Sequence, residues 1–138
     1  MKGDCIRYRA GYKYQLVNDY SVQIAILPAN PIDTELFSLT TDGWLTIRHG
    51  YAYDGPSGPT IDTPDFMRGS LVHDVLYQMI REGYLEKNWR DDADRELRKI
   101  CIEDGMSETR AAAVFYGVRI GGQSAVKGDG GKPLCEAP

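Results

Sequence analysis

The sequence is short of cysteine and histidine, has no surplus of positive charge and contains no long apolar run. Cys5, Cys101 and Cys135 are the three cysteines among 138 residues. They are odd in number, widely spaced and without zinc-like spacing, so reduced thiols are expected in place of a disulfide framework or a cysteine metal site. Sixteen basic residues against twenty acidic ones give a formal net charge of -4. A sequence-blind grip on nucleic acid needs a basic surface, so nucleic acid is not an expected partner. No stretch approaches the ~18–20 apolar residues that cross a bilayer. Met1-Lys2-Gly3-Asp4-Cys5 leads into a strand-like segment without the apolar core of a signal peptide, so neither a signal peptide nor a transmembrane segment is expected. A chain 42% apolar and 26% charged reads as one soluble globular domain.

The expected class is α+β, with strands first and helices after. Residues 1–122 read as a single domain made of β-hairpins (1–49), a Gly/Pro-rich loop (50–63) and helices (64–120), followed by a flexible tail over 123–138. Tyr12–Val17 and Tyr20–Leu27 alternate apolar and polar residues around Asn18-Asp19 and read as one hairpin. After the breaker cluster Pro28–Asp33, a second hairpin runs from Leu36–Thr40 through Thr41-Asp42-Gly43 to Trp44–Arg48. Gly50, Gly55, Gly58, Pro56, Pro59 and Pro64 crowd the next stretch, a loop that Tyr51, Tyr53 and Ile61 could pin. A first helix then spans about Pro64 to Glu82, with Thr63 as N-cap, Pro64 at the first position and Gly83 after the end. A second spans about Asp91 to Glu103, stopped by Gly105, and a third about Ser107 to Ile120 with a stripe of Ala111, Val114, Phe115 and Val118.

The chain has two histidines, His49 and His73. At about 100° per residue, Ser70, His73, Asp74 and Tyr77 share one side of the first helix, opposite Leu71, Val75 and Met79. Spacing alone is satisfied by a polar face turned to water. Asp94 points further. The second helix has its apolar stripe at Ala93, Leu97, Ile100 and Cys101, which puts Asp94 on the edge of the packing face, where a carboxylate needs a partner. His73, on the preceding antiparallel helix, is the candidate. A His–Asp pair lets the carboxylate orient an imidazole that takes a proton from water or serine. Before that helix, Tyr53-Asp54-Gly55-Pro56-Ser57-Gly58 could turn backbone carbonyls inward, as a hard cation such as Ca²⁺ requires, with Asp74 supplying a carboxylate. A tight turn that only re-aims the chain is the alternative.

These residues together resemble the phospholipase A2 superfamily, above all the compact viral type of parvovirus capsid proteins, with a Tyr-x-Gly-Pro-Gly loop, His-Asp-x-x-Tyr on one helix and an aspartate on the next. The resemblance covers about residues 51–101. It implies carbonyl ligation of Ca²⁺ by Tyr53, Gly55 and Ser57, with Asp74 as the calcium carboxylate. It implies His73 as general base, Asp94 as its orienting partner, Tyr77 as a supporting tyrosine, and a phospholipid or membrane surface as substrate. Two departures stand out: Ser57 replaces a usual glycine, and Leu71 and Val72 replace the paired cysteines of secreted members.

In overall layout the chain also resembles a family of small phage and prophage proteins of unassigned function. Gly50-Tyr51-Ala52-Tyr53-Asp54-Gly55-Pro56-Ser57-Gly58-Pro59, His73-Asp74-Val75-Leu76-Tyr77 and Ala93-Asp94-Arg95 carry that likeness. It implies a place in the host cytoplasm or the virion, a phage or host protein as partner, and ligation by the Asp54 side chain. Three readings follow. One is a calcium-dependent lipid or ester hydrolase, and the second a non-catalytic phage protein, structural or acting on a host factor, that keeps the scaffold. The third is a His–Asp metal-dependent phosphohydrolase, a class that asks for more histidines than this chain has. A Ser57–His73 acyl-transfer pair lacks a nucleophile-elbow context. An interfacial hydrolase would also need an apolar collar, for which Phe66, Met67, Tyr84, Leu85 and Trp89 are candidates, as they equally are for ordinary core.

Overall fold

The structure is a computed structural model that describes residues 14–53 and 63–121. The expected tail over 123–138 lies outside these residues, as do Asp54, Gly55, Ser57, Ile61, Cys5 and Cys135. The α+β class holds: among the described residues six short strands in antiparallel sheets precede three helices. The strands are β1 (Tyr14–Gln15), β2 (Tyr20–Gln23), β3 (Ile32–Asp33), β4 (Phe37–Leu39), β5 (Trp44–Ile47) and β6 (Ala52–Tyr53). They form a four-stranded sheet in the order β2-β5-β4-β3 and a two-stranded one of β1 and β6.

The Asp42-Gly43 hairpin forms as expected, pairing Leu39 with Leu45 and Phe37 with Ile47. Gly43 takes φ 92°, and a Cβ there would stand 2.4 Å from the Ile24 carbonyl oxygen, so only glycine fits this turn. The first expected hairpin does not form. β1 pairs with β6 and β2 with β5, so the runs flanking Asn18-Asp19 enter different sheets. The physical reason is the turn itself. Asn-Asp lacks the glycine that a two-residue turn favours, and Asp19 accepts the His49 backbone N–H (2.8 Å) and lies against its imidazole Nδ1 (2.9 Å). The second run is strand only to Gln23. Beyond it Ile24 and Ile26 are buried, and the Ala25 N–H, which points away from β5, donates to Glu96 (2.9 Å). The breaker cluster hides β3, whose Ile32 pairs with Leu39.

The helices are α1 (Pro64–Arg81), α2 (Arg90–Glu103), entered through a 3-10 turn at Lys87–Trp89, and α3 (Glu108–Gly121). α1 and α2 end alike. Gly83 and Gly105 take positive φ, and the following residues donate back to Met79 and Cys101, the paired bonds of a glycine C-cap. Ser107 caps α3 by accepting the Arg110 N–H (3.2 Å). Thr63 occupies the N-cap position of α1 but makes no side-chain cap. Its hydroxyl is drawn instead into a cluster with Asp65 and Arg110, which ties the start of α1 to α3.

The contacts fix the directions of the helices. Arg68 meets Glu103 and Asp104, Gly69 meets Cys101 and Leu97, and His73 meets Asp94, so α1 and α2 are antiparallel. Arg98 lies over Phe115 while Arg119 reaches Asp91 and Asp94, so α2 and α3 are antiparallel as well. The main core joins both sheets to α1 and α2 through Phe37, Leu45, Ile47, Val72, Leu76, Met79 and Ile100, and a smaller one joins Phe66, Leu97, Cys101, Met106 and Ala111. No helix among the described residues is long and apolar enough to cross a membrane.

α1 and α2 approach closely at Gly69, where a Cβ would meet Cys101 Sγ at 2.9 Å and the Leu97 carbonyl oxygen at 3.2 Å. Gly69→Ala should therefore lower the thermal midpoint, because overpacking costs ~1–3 kcal/mol against a helix-propensity gain of about 1 kcal/mol. Gly117 on α3 has nothing within 4 Å of its Cβ position. The same change there should raise the midpoint, and thermal melts of the two variants check both signs.

Candidate functional site

α1 is buried on more sides than an amphipathic helix needs. Ser70, His73 and Tyr77 are buried along with Leu71, Val75 and Met79. The polar side is thus not turned to water, because α2 packs over it and brings a carboxylate with it. Asp94 has no exposed surface at all. His73 Nε2 lies 2.6 Å from Asp94 Oδ1, and the Tyr77 hydroxyl donates to the same oxygen at 2.6 Å. The spacing of four residues also stacks the two donors, with ring centroids 4.1 Å apart.

A charged carboxylate only accepts, so Nε2 carries a proton and Nδ1 is the acceptor of the neutral ring. Among the described residues Nδ1 has no hydrogen-bond partner. Burial by itself would raise the Asp94 carboxyl, but the bonds from His73, Tyr77 and Arg119 outweigh it and hold the group below its ordinary value. Burial and the bond to Asp94 push the Tyr77 phenol well above its usual range, so it remains a donor.

Of the expected calcium ligands, Tyr53 and Asp74 are described. Just before β6, the Tyr51 hydroxyl donates to Gln78 Oε1 on α1 at 2.7 Å. The Tyr53 phenol is raised by burial first and then by the negative charge of Asp74. Tyr14 and Tyr51 pack their rings on Tyr53 and fix the end of β6. A carboxylate such as Asp74 is the hard oxygen chemistry that Ca²⁺ takes. The other expected ligands, Asp54, Gly55 and Ser57, lie outside the described residues. Among the described residues no group of three or more His, Cys, Asp or Glu side chains stands together as a metal centre.

The structure also places the residues around the dyad. Ser70 shares the His73 side but bonds the Met67 carbonyl of its own helix (3.0 Å) and does not join the dyad. Phe66 and Leu85 are core residues, which leaves Tyr84 as the exposed member of the expected collar, with Met67 and Trp89 partly buried. Arg119 and Arg90 are the residues that sequence reasoning passed over. Arg119 Nη1 donates to Asp94 Oδ2 at 2.7 Å, and Arg90 Nε reaches the Tyr77 hydroxyl at 3.3 Å. A signal existed: three antiparallel helices joined by short turns return the end of the third to the start of the second, and Arg119 borders the Phe115/Val118 stripe.

The depressed Asp94 carboxyl gives stability a defined sign with pH. Its contribution is complete above the unfolded value near 3.8 and is lost as pH falls through the lower folded value. Asp94→Asn should lower stability at neutral pH by about 2 kcal/mol and remove part of the loss below pH 4, as read by urea unfolding from neutral to strongly acid pH. No protein-family model, no curated protein and no solved structure matches the chain.

Proposed function

We propose that the chain is a calcium-dependent acyl-ester hydrolase of phospholipase A2 type, acting on phospholipid as a phage or prophage product in the host cytoplasm or the virion. The observation that carries the reading is the single oxygen Asp94 Oδ1, which receives both His73 Nε2 and the Tyr77 hydroxyl while Nδ1 keeps its lone pair. That arrangement suits a general base. A water bonded to Nδ1 loses its proton to the ring as its oxygen attacks the ester carbonyl carbon. Asp94, already charged, stabilises the imidazolium that forms, and the ring then returns the proton to the leaving alkoxide. Asp74, Tyr53 and the residues Asp54, Gly55 and Ser57 would hold the calcium ion, which when bound supplies positive charge at the developing oxyanion.

The second reading, a non-catalytic phage protein that engages a phage or host partner, is favoured by one observation. The bonds that orient His73 also join all three helices, through Tyr77 on α1, Asp94 on α2 and Arg119 on α3. A polar network of that kind is retained for packing alone when no chemistry uses it. Turnover separates the two readings.

His73→Gln should cut calcium-dependent fatty acid release from mixed phospholipid vesicles by ~10²–10⁴-fold, with an unchanged circular dichroism spectrum. Absence of release by the parent protein, with calcium and each common head group, would sink the enzyme reading. Calorimetric calcium titration tests the metal separately. Asp74→Asn should weaken binding more than Asp92→Asn, and equal effects would leave 54–62 as a connection only.

A further inference from the structure

Asp94 is met from two sides. His73 and Tyr77 come from α1 and share Oδ1, a single pivot about which the carboxylate could still rotate. Its other oxygen, Oδ2, is taken by Arg119 from α3 at 2.7 Å. The second terminal nitrogen of the same guanidinium lies 2.6 Å from Asp91 Oδ1. Asp91 and Asp94 are three residues apart on α2 and so face the same way. The fork of Arg119 straddles them, one nitrogen to each carboxylate, a task for a planar guanidinium and not for the point charge of a lysine.

Arg119 is itself held. Arg90 Nη2 donates to the backbone carbonyls of Arg119 (2.8 Å) and Val118 (3.2 Å), at the end of α3 where carbonyls lack partners within the helix. The same Arg90 reaches the Tyr77 hydroxyl through Nε. The contacts therefore close a ring: Tyr77 to Asp94, Asp94 to Arg119, the Arg119 backbone to Arg90, and Arg90 back to Tyr77. His73 hangs from the Asp94 corner of that ring.

We infer that Arg119 is a positioning residue for His73, acting through Asp94 Oδ2, and that α3 thereby belongs to the unit that aims the imidazole. With Oδ2 clamped, the plane of the carboxylate is set, and the direction from Oδ1 to Nε2 fixes the direction in which Nδ1 faces. Arg119 touches neither base nor substrate. Its catalytic consequence rests on the hydrolase reading, while its hold on the imidazole does not.

The test compares Arg119→Met and Arg119→Lys with Arg95→Met, which removes a charge from an exposed α2 pair with Asp92. Two quantities are read: the ¹⁵N-imidazole NMR signal of the His73 Nε2–H, and kcat and KM for fatty acid release from equimolar phosphatidylcholine and phosphatidylglycerol vesicles with calcium. In the parent the N–H signal should be sharp and slow to exchange. Arg119→Met should broaden or abolish it and lower kcat by ~10–100-fold at unchanged KM. Arg119→Lys should recover part of both, and Arg95→Met should match the parent. If Arg119→Met does not fold, Arg119→Lys alone should show the reduced kcat with a native circular dichroism spectrum. A sharp N–H and full kcat in the Arg119 variants, with only the melting temperature lowered, would overturn the inference. If the parent releases no fatty acid, the hydrolase reading fails by itself, and the N–H signal decides the positioning role: loss in Arg119→Met upholds it and retention overturns it.

Discussion

A carboxylate with no exposed surface persists in its charged form only if protein donors replace the water it has lost, and Asp94 is such a group. Much of the helical half of the molecule follows from that need. Two donors must come from α1, which requires α1 to cross α2 closely, and Gly69 provides the close approach by having no side chain. One donor must be cationic, which requires the end of α3 to lie over the first turn of α2. The donors Tyr77 and Arg119 each have a second tie, to Arg90 and Asp91. The same need orients the His73 ring, with Nε2 turned to Asp94.

The sheets contribute by a different route. Their faces supply most of the apolar core under α1, through Phe37, Leu39, Leu45 and Ile47. The small β1–β6 pair carries three tyrosines toward the helix. Tyr14 and Tyr51 both pack on Tyr53, and Tyr51 is tied to Gln78, so the end of β6 is anchored to α1 through Tyr51.

Features set by local chemistry were legible in the sequence. Gly83 and Gly105 mark helix ends because positive φ is available there at little cost, and Asp42-Gly43 marks a hairpin for the same reason. The His73–Asp94 contact was legible because a charged residue on the edge of an apolar stripe needs a partner and the preceding helix offered one. Features set by distant pairing were not. Alternation told that residues 14–15 and 20–23 are strands but not that they belong to separate sheets, since the partner of each lies more than twenty residues on. Thr63 had the right identity for a cap, yet Asp65 and Arg110 competed for its hydroxyl. Arg119 was missed because an arginine in a last helical turn is adequately explained by the helix dipole, and nothing local shows that it faces a buried acid.

The bond from the Ala25 N–H to Glu96 spans 71 residues and closes the free side of the chain just beyond β2, the outer strand of the larger sheet. Until α2 docks, that N–H lacks its partner. A nascent chain that has formed its sheet but not yet its second helix therefore presents an unsealed edge to its neighbours, the template on which strands of separate molecules add to one another. Glu96, two residues from Asp94 and so on a different face of α2, thus occupies a donor at the open side of the larger sheet.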